Sequence, residues 1–137
     1  MALVVDAGPL VALLDADDTH HDACLELLAT HPGPLVVPAL VVTEVVQLVA
    51  NRVGVRAEVS FLADLAEGTF SVDHVAAGDW KRIAQLVGRY RDLRLGSVDA
   101  SVIAAAERLN VTTVATLDRR HFGVVAPAHV PALTLVP

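Results

Sequence analysis

Four carboxylates sit where carboxylates need explaining. Asp6 ends the apolar run "MALVVD", Glu44 is the one acid in "PALVVTEVVQLV", Asp99 falls early in "GSVDASVIAAAERL", and Asp118 follows "TVATL". Three of them have an ordinary structural role open to them. Asp6 can cap the helix that Pro9 begins, Asp99 suits the positive end of its helix, and Asp118 can start a turn. Glu44 has no such role. Nearly all its neighbours favour burial, no lysine or arginine lies within a helical turn of it, and an unpaired buried carboxylate is costly.

Gathered in one place, the four acids would do chemistry. Two carboxylates about 4 Å apart repel by roughly 4 kcal/mol at an effective dielectric near 20, so a cluster needs shared protons or a bound cation. Oxygen ligands with no Cys or His in the set select a hard ion, Mg²⁺ or Mn²⁺. Such an ion keeps open positions for phosphate oxygens, activates water and steadies a leaving oxygen. The chemistry indicated is phosphodiester hydrolysis.

The surrounding pattern supplies elements able to gather them. Strands are expected at 2–6, 35–37, 69–72, 113–116 and 133–136. Helices are expected at 9–15, 19–30, 38–52, 55–66 and 76–91, and from a cap at Ser97 to Leu109, with Gly54 and Gly68 as stops. Strands separated by helices mean a parallel sheet with helices on both faces. Ligands in such sheets bind beyond the carboxyl ends of the strands. Asp6 and Asp118 fall at those ends, and Glu44 and Asp99 lie near the starts of helices that begin on the same edge.

Composition agrees. The chain has 137 residues, 54% of them hydrophobic with only five aromatics, and small aliphatic side chains allow helices to lie close on a sheet. This length suits one domain, residues 1–137. Cys24 is the single cysteine, so no internal disulfide forms and a reducing, cytoplasmic setting is expected, with no leader or membrane-length apolar run. The net charge of −6 argues against broad charge-driven nucleic-acid binding but leaves room for a local basic patch. Arg89, Arg91 and Arg94 read as solvated helix ends.

"VVDAGPLVALLD", "VVTEVVQLV", "GSVDASVIAAAERL" and "TVATLDRRHF" resemble the four acidic motifs of the PIN-domain nucleases, and more narrowly the VapC toxins of bacterial toxin–antitoxin pairs. The resemblance covers essentially the whole chain. It implies a three-layer α/β/α PIN-like domain over residues 1–137, with a central parallel sheet of about five strands. It places Mg²⁺ or Mn²⁺ mainly on Asp6, Asp99 and Asp118, with Glu44 orienting or deprotonating the attacking water or completing the metal shell. Thr116 matches a hydroxyl position that holds a carboxylate or a water. The activity implied is a metal-dependent endoribonuclease cutting tRNA or a ribosomal RNA loop, in a homodimer restrained by a VapB-type antitoxin. Arg119 and Arg120, directly after Asp118, then offer a contact to the RNA backbone. Many relatives carry Ser or Thr just behind the first aspartate, where this chain has Ala7 and Gly8; backbone N–H groups are the substitute available.

Other readings are weaker. A phosphatase or phospho-receiver domain needs a second aspartate two residues beyond Asp6 and a strand-end lysine, whereas Lys81 is mid-helix. A catalytically idle, protein-binding domain would keep four awkward acids without using them. Cys24 reads as core, His20 and His21 as solvated, His121 as structural, Trp80 as core or dimer interface, and Asp15, Asp17 and Asp18 as a solvated loop.

Overall fold

Leu3, Val4 and Val5 are three consecutive aliphatic residues with no solvent exposure. Successive side chains of a strand point to opposite faces, so a run buried at every position needs cover on both. In the computed structural model, which describes residues 1–137, these residues form β1 (Leu3–Val5), the central strand of five. It is flanked by β2 (Leu35–Pro38) and β4 (Thr113–Ala115), with β3 (Ser71–Asp73) and β5 (Thr134–Val136) at the edges. All pairings are parallel, and Val4 lies level with both Val36 and Val114.

Seven helices cover the sheet in the α/β/α arrangement expected: α1 (Ala7–Leu14), α2 (His21–Thr30), α3 (Ala39–Arg52), α4 (Val55–Glu67), α5 (Ala77–Arg89), α6 (Ser97–Leu109) and α7 (Arg119–Val124). α3 turns Val41, Val45 and Val49 inward at four-residue spacing. α6 is buried continuously from Ala100 to Ala106, and its four alanines let it lie close against neighbouring elements. Gly68 ends α4 at φ +80°, the left-handed conformation that closes helices. Gly33 is held to glycine for another reason: a Cβ there would fall 1.8 Å from the Met1 carbonyl oxygen.

Four local expectations need correction. Gly96, not Ser97, occupies the N-cap of α6, and Ser97 is its first helical residue. The third strand is displaced to 71–73 because Phe70 is buried against Phe61 just before it. The 76–91 helix stops at Arg89, and a short 3-10 turn, Arg91–Leu93, follows. Trp80 is 54% exposed, which removes the core half of its reading. α5 buries Asp79, Ile83 and Leu86 instead, because Asp79 accepts from the Ala76 N–H and pairs with Arg108, and the next residue must then point outward. No helix is long and apolar enough to cross a membrane.

Candidate active site

The strand order 3-2-1-4-5 makes the chain depart in opposite directions from β1 and β4, and a crevice opens between their carboxyl ends. Asp6 is the first residue past β1, its N–H bonded to the Ala115 carbonyl at 2.9 Å. Thr116 is the first residue past β4. Its hydroxyl donates to Asp6 Oδ2 at 2.9 Å and accepts from the Asp118 N–H at 3.0 Å. One buried side chain thus fixes the first acid and the backbone of the fourth.

Asp118 caps α7, its Oδ1 accepting the His121 N–H at 3.0 Å. Asp99 stands in the first turn of α6, where the helix dipole favours a negative charge. Glu44 is half-buried in the second turn of α3. Asp6, Glu44, Asp99, Asp118, Arg119 and Arg120 all line one cleft of about 560 Å³; Thr116 lies beneath it, 1% exposed. Arg119 donates to the Pro137 carbonyl, while Arg120 is exposed and makes no hydrogen bond or ion pair.

Burial and mutual repulsion raise Asp6, Glu44 and Asp99. Asp6 is pushed up to about 6, chiefly by burial and further by the Asp99 and Glu44 charges. The Ala7 N–H and the Thr116 hydroxyl pull the other way. Glu44 is raised by burial and by Asp99. Asp99 is raised by burial and Asp118, against the lowering effect of His121.

His121 reads as structural in the sequence, and the structure places it among the acids. Its Nδ1 lies 2.7 Å from Asp99 Oδ2 and 3.1 Å from Asp118 Oδ2. Asp99, Asp118 and His121 each offer a donor atom within 4.8 Å of the others. The available signal was its position three residues after Asp118, one turn on if a helix starts there; α7, with six residues, is too short to announce itself by periodicity.

The residues fit a divalent metal. Asp6 Oδ1 is buried with no hydrogen-bond partner, a costly state for a carboxylate oxygen unless a cation or proton completes it. The other acids of the cleft add carboxylate oxygens, a set suited to Mg²⁺ or Mn²⁺.

The other residues weighed play no part here. Cys24 is buried, its thiol pushed up by burial and by Asp18, opposite to an activated nucleophile. His21 Nδ1 is bonded to the Ala12 carbonyl. Asp15 and Asp18 accept backbone N–H groups of their own loop.

The PIN domain family model matches residues 3–126. The chain belongs to the PIN-domain family. It is 36% identical to Ribonuclease VapC26 of Mycobacterium tuberculosis over 135 residues, which is 98% of this chain and all of that one. Among solved structures it is similar to VapC20 of M. tuberculosis, described as a sarcin–ricin loop cleaving toxin. That likeness has a TM-score of 0.83 and 23% identity over 94% of this chain and 98% of the other. It is also similar to VapBC2 of Rickettsia felis, bound to a DNA fragment from its promoter, with a TM-score of 0.69 and 18% identity over 98% and 97%. At these identities the two structures speak for the fold.

Proposed function

We propose that this chain is the toxin of a VapBC-type toxin–antitoxin pair, a Mg²⁺- or Mn²⁺-dependent endoribonuclease that cuts a structured RNA, a tRNA or a ribosomal RNA loop. Its partners in this reading are a VapB-type antitoxin and a second copy of the same chain. The observation that carries it is the convergence of Asp6, Glu44, Asp99 and Asp118 on one cleft at the switch point of the sheet. Near full-length identity of 36% to a named ribonuclease supports the same activity.

Asp6, Asp99 and Asp118 would hold the metal. When bound, it polarises the scissile phosphate and lowers the pKa of a bound water. Thr116 keeps Asp6 Oδ2 oriented and, through the Asp118 N–H, fixes the loop bearing the fourth acid. Glu44, on the same cleft, would take the proton of an attacking water, and its raised pKa makes it a better base than an exposed glutamate. Arg119 and Arg120 line the cleft and offer guanidinium N–H groups to phosphate oxygens.

Cleavage mapping tests the reading. Purified protein, free of antitoxin, is incubated with total RNA of its host and Mg²⁺ or Mn²⁺, and the new 5′ ends are sequenced. Asp6→Asn and EDTA controls run beside it. Discrete cuts, absent from both controls, are expected. A folded protein that leaves host RNA intact would point instead to an idle binding domain.

A further inference from the structure

The basic side chains outside the cleft are unevenly spread. Arg89, Arg91 and Arg94, three of the nine arginines, fall within six residues joining α5 to α6. All three are exposed and none is in an ion pair, although acids outnumber lysines and arginines sixteen to ten. Arg82 and Arg108, by contrast, are both paired with acids. Asp92, also exposed, is the one acid in the segment.

The segment is anchored. The Tyr90 carbonyl accepts from the N–H groups of Leu93 and Leu95, and the Tyr90 hydroxyl accepts from the Ala126 N–H at 3.0 Å. Leu95 is buried. The Arg89 guanidinium lies 5.7 Å from the Tyr90 ring centroid, and Arg91 donates to the Gly88 carbonyl. Arg94 closes the 3-10 turn in the left-handed region at φ +59°, a conformation uncommon for a non-glycine residue.

Its location follows from the packing of two helices. Asp79 pairs with Arg108 and Arg82 with Glu107, so α5 and α6 run antiparallel in close register. Continued along both helices, that register brings the end of α5 level with the first turn of α6, which carries Asp99. Arg94 precedes Asp99 by only five residues.

We propose that Arg89, Arg91 and Arg94 form a brace for the RNA backbone beside the mouth of the acid cleft, a role that rests on the ribonuclease reading above. A cleft lined by four carboxylates repels a phosphodiester chain, and cations fixed beside it offset that field where the strand must approach. Guanidinium groups suit the task because their planar N–H forks match phosphate oxygens. The contacts are to phosphate, so the brace adds affinity and orientation without reading sequence.

The test measures binding apart from cleavage. A fluorescein-labelled, single-stranded 20-nucleotide RNA of mixed sequence is titrated in EDTA by anisotropy across a range of NaCl concentrations. Each phosphate contact to a single strand contributes about 0.7 to the slope of log K against log salt. The combined Arg89→Ala, Arg91→Ala, Arg94→Ala variant should lose roughly two units of slope while keeping the wild-type circular dichroism spectrum and Tm. The corresponding triple lysine variant should keep most of the slope. A wild type that cuts host RNA, with an alanine variant of unchanged slope, overturns the brace alone. A wild type that neither cuts nor binds RNA overturns the ribonuclease reading beneath it.

Discussion

His121 Nδ1 lies 2.7 Å from Asp99 Oδ2, joining a residue at the start of α7 to one in the first turn of α6. The same nitrogen is 3.1 Å from Asp118 Oδ2, so one N–H holds two carboxylates that would otherwise separate. Partners that orient metal-binding carboxylates commonly change metal affinity 10- to 100-fold when removed. His121→Ala should therefore weaken Mn²⁺ binding, measured calorimetrically, by about that factor. His121→Asn places an amide N–H near the position of Nδ1 and should restore much of the affinity, whereas His121→Gln reaches toward Nε2 and should not. Equal affinities for the Asn and Gln variants would remove the argument for Nδ1.

Thr116 joins Asp6 to the Asp118 backbone through one hydroxyl. Thr116→Val keeps the shape and deletes both hydrogen bonds, leaving Asp6 with neither oxygen partnered by a hydrogen bond. An unmet buried polar group costs about 1–3 kcal/mol, so the metal-free variant should be destabilised by about 2 kcal/mol in urea denaturation. Thr116→Ser keeps the hydroxyl and should lose less. Full stability in the Val variant would mean that the bond is not maintained in solution.

Much of this site was legible in the chain because it is marked by contrast. An acid ending an apolar strand, or alone in an apolar helix, is conspicuous, and βα alternation already fixes which edge of the sheet the strand ends share. Asp6, Glu44, Asp99 and Asp118 could be read this way, and the cleft gathers all four. His121 could not be, because its role depends on α7, a helix of six residues begun by Asp118 itself. For Trp80 the core alternative failed because the inward position on α5 goes to Asp79, whose partner Arg108 is 29 residues away on α6. The same long-range pairing sets the register that locates the 89–94 segment, which in sequence is only a helix end.

Asp6 Oδ1, buried and without a partner, offers a ligand position, and a divalent cation bound there would stabilise the folded chain. At one hundred times its Kd, a ligand specific to the native state adds about 2.7 kcal/mol, or roughly 10 °C in Tm for a domain of this size. Mn²⁺ at pH 7.5 should raise the Tm of the wild type by that order, and EDTA should reverse it. Asp99→Asn should lose most of the response. A wild-type Tm indifferent to Mn²⁺ and Mg²⁺ would count against a metal centre here.

The raised pKa of Asp6 sets the sign of a pH dependence in the metal-free protein. Asp6 titrates near 6 in the folded chain against 3.8 for the ordinary side chain, so between these values the native state holds a proton that the unfolded chain has released. Stability then falls as pH rises through that window, by about 3 kcal/mol, and levels off above it. Glu44 and Asp99, also raised, act in the same direction. Glu107 acts oppositely: burial raises it, but Arg82 and the Ala128 N–H bring it below 4.5, so its contribution is present above that value and is lost only as pH falls below it. Urea denaturation in EDTA at pH 4.5 and 7.5 should show the wild type less stable at the higher pH. Asp6→Asn should show a much smaller difference and exceed the wild type at pH 7.5. A wild type that gains stability across this interval, with the Asn variant following it, would mean that Asp6 ionises freely in the folded chain, and with it would go the electrostatic case for a cation in the cleft.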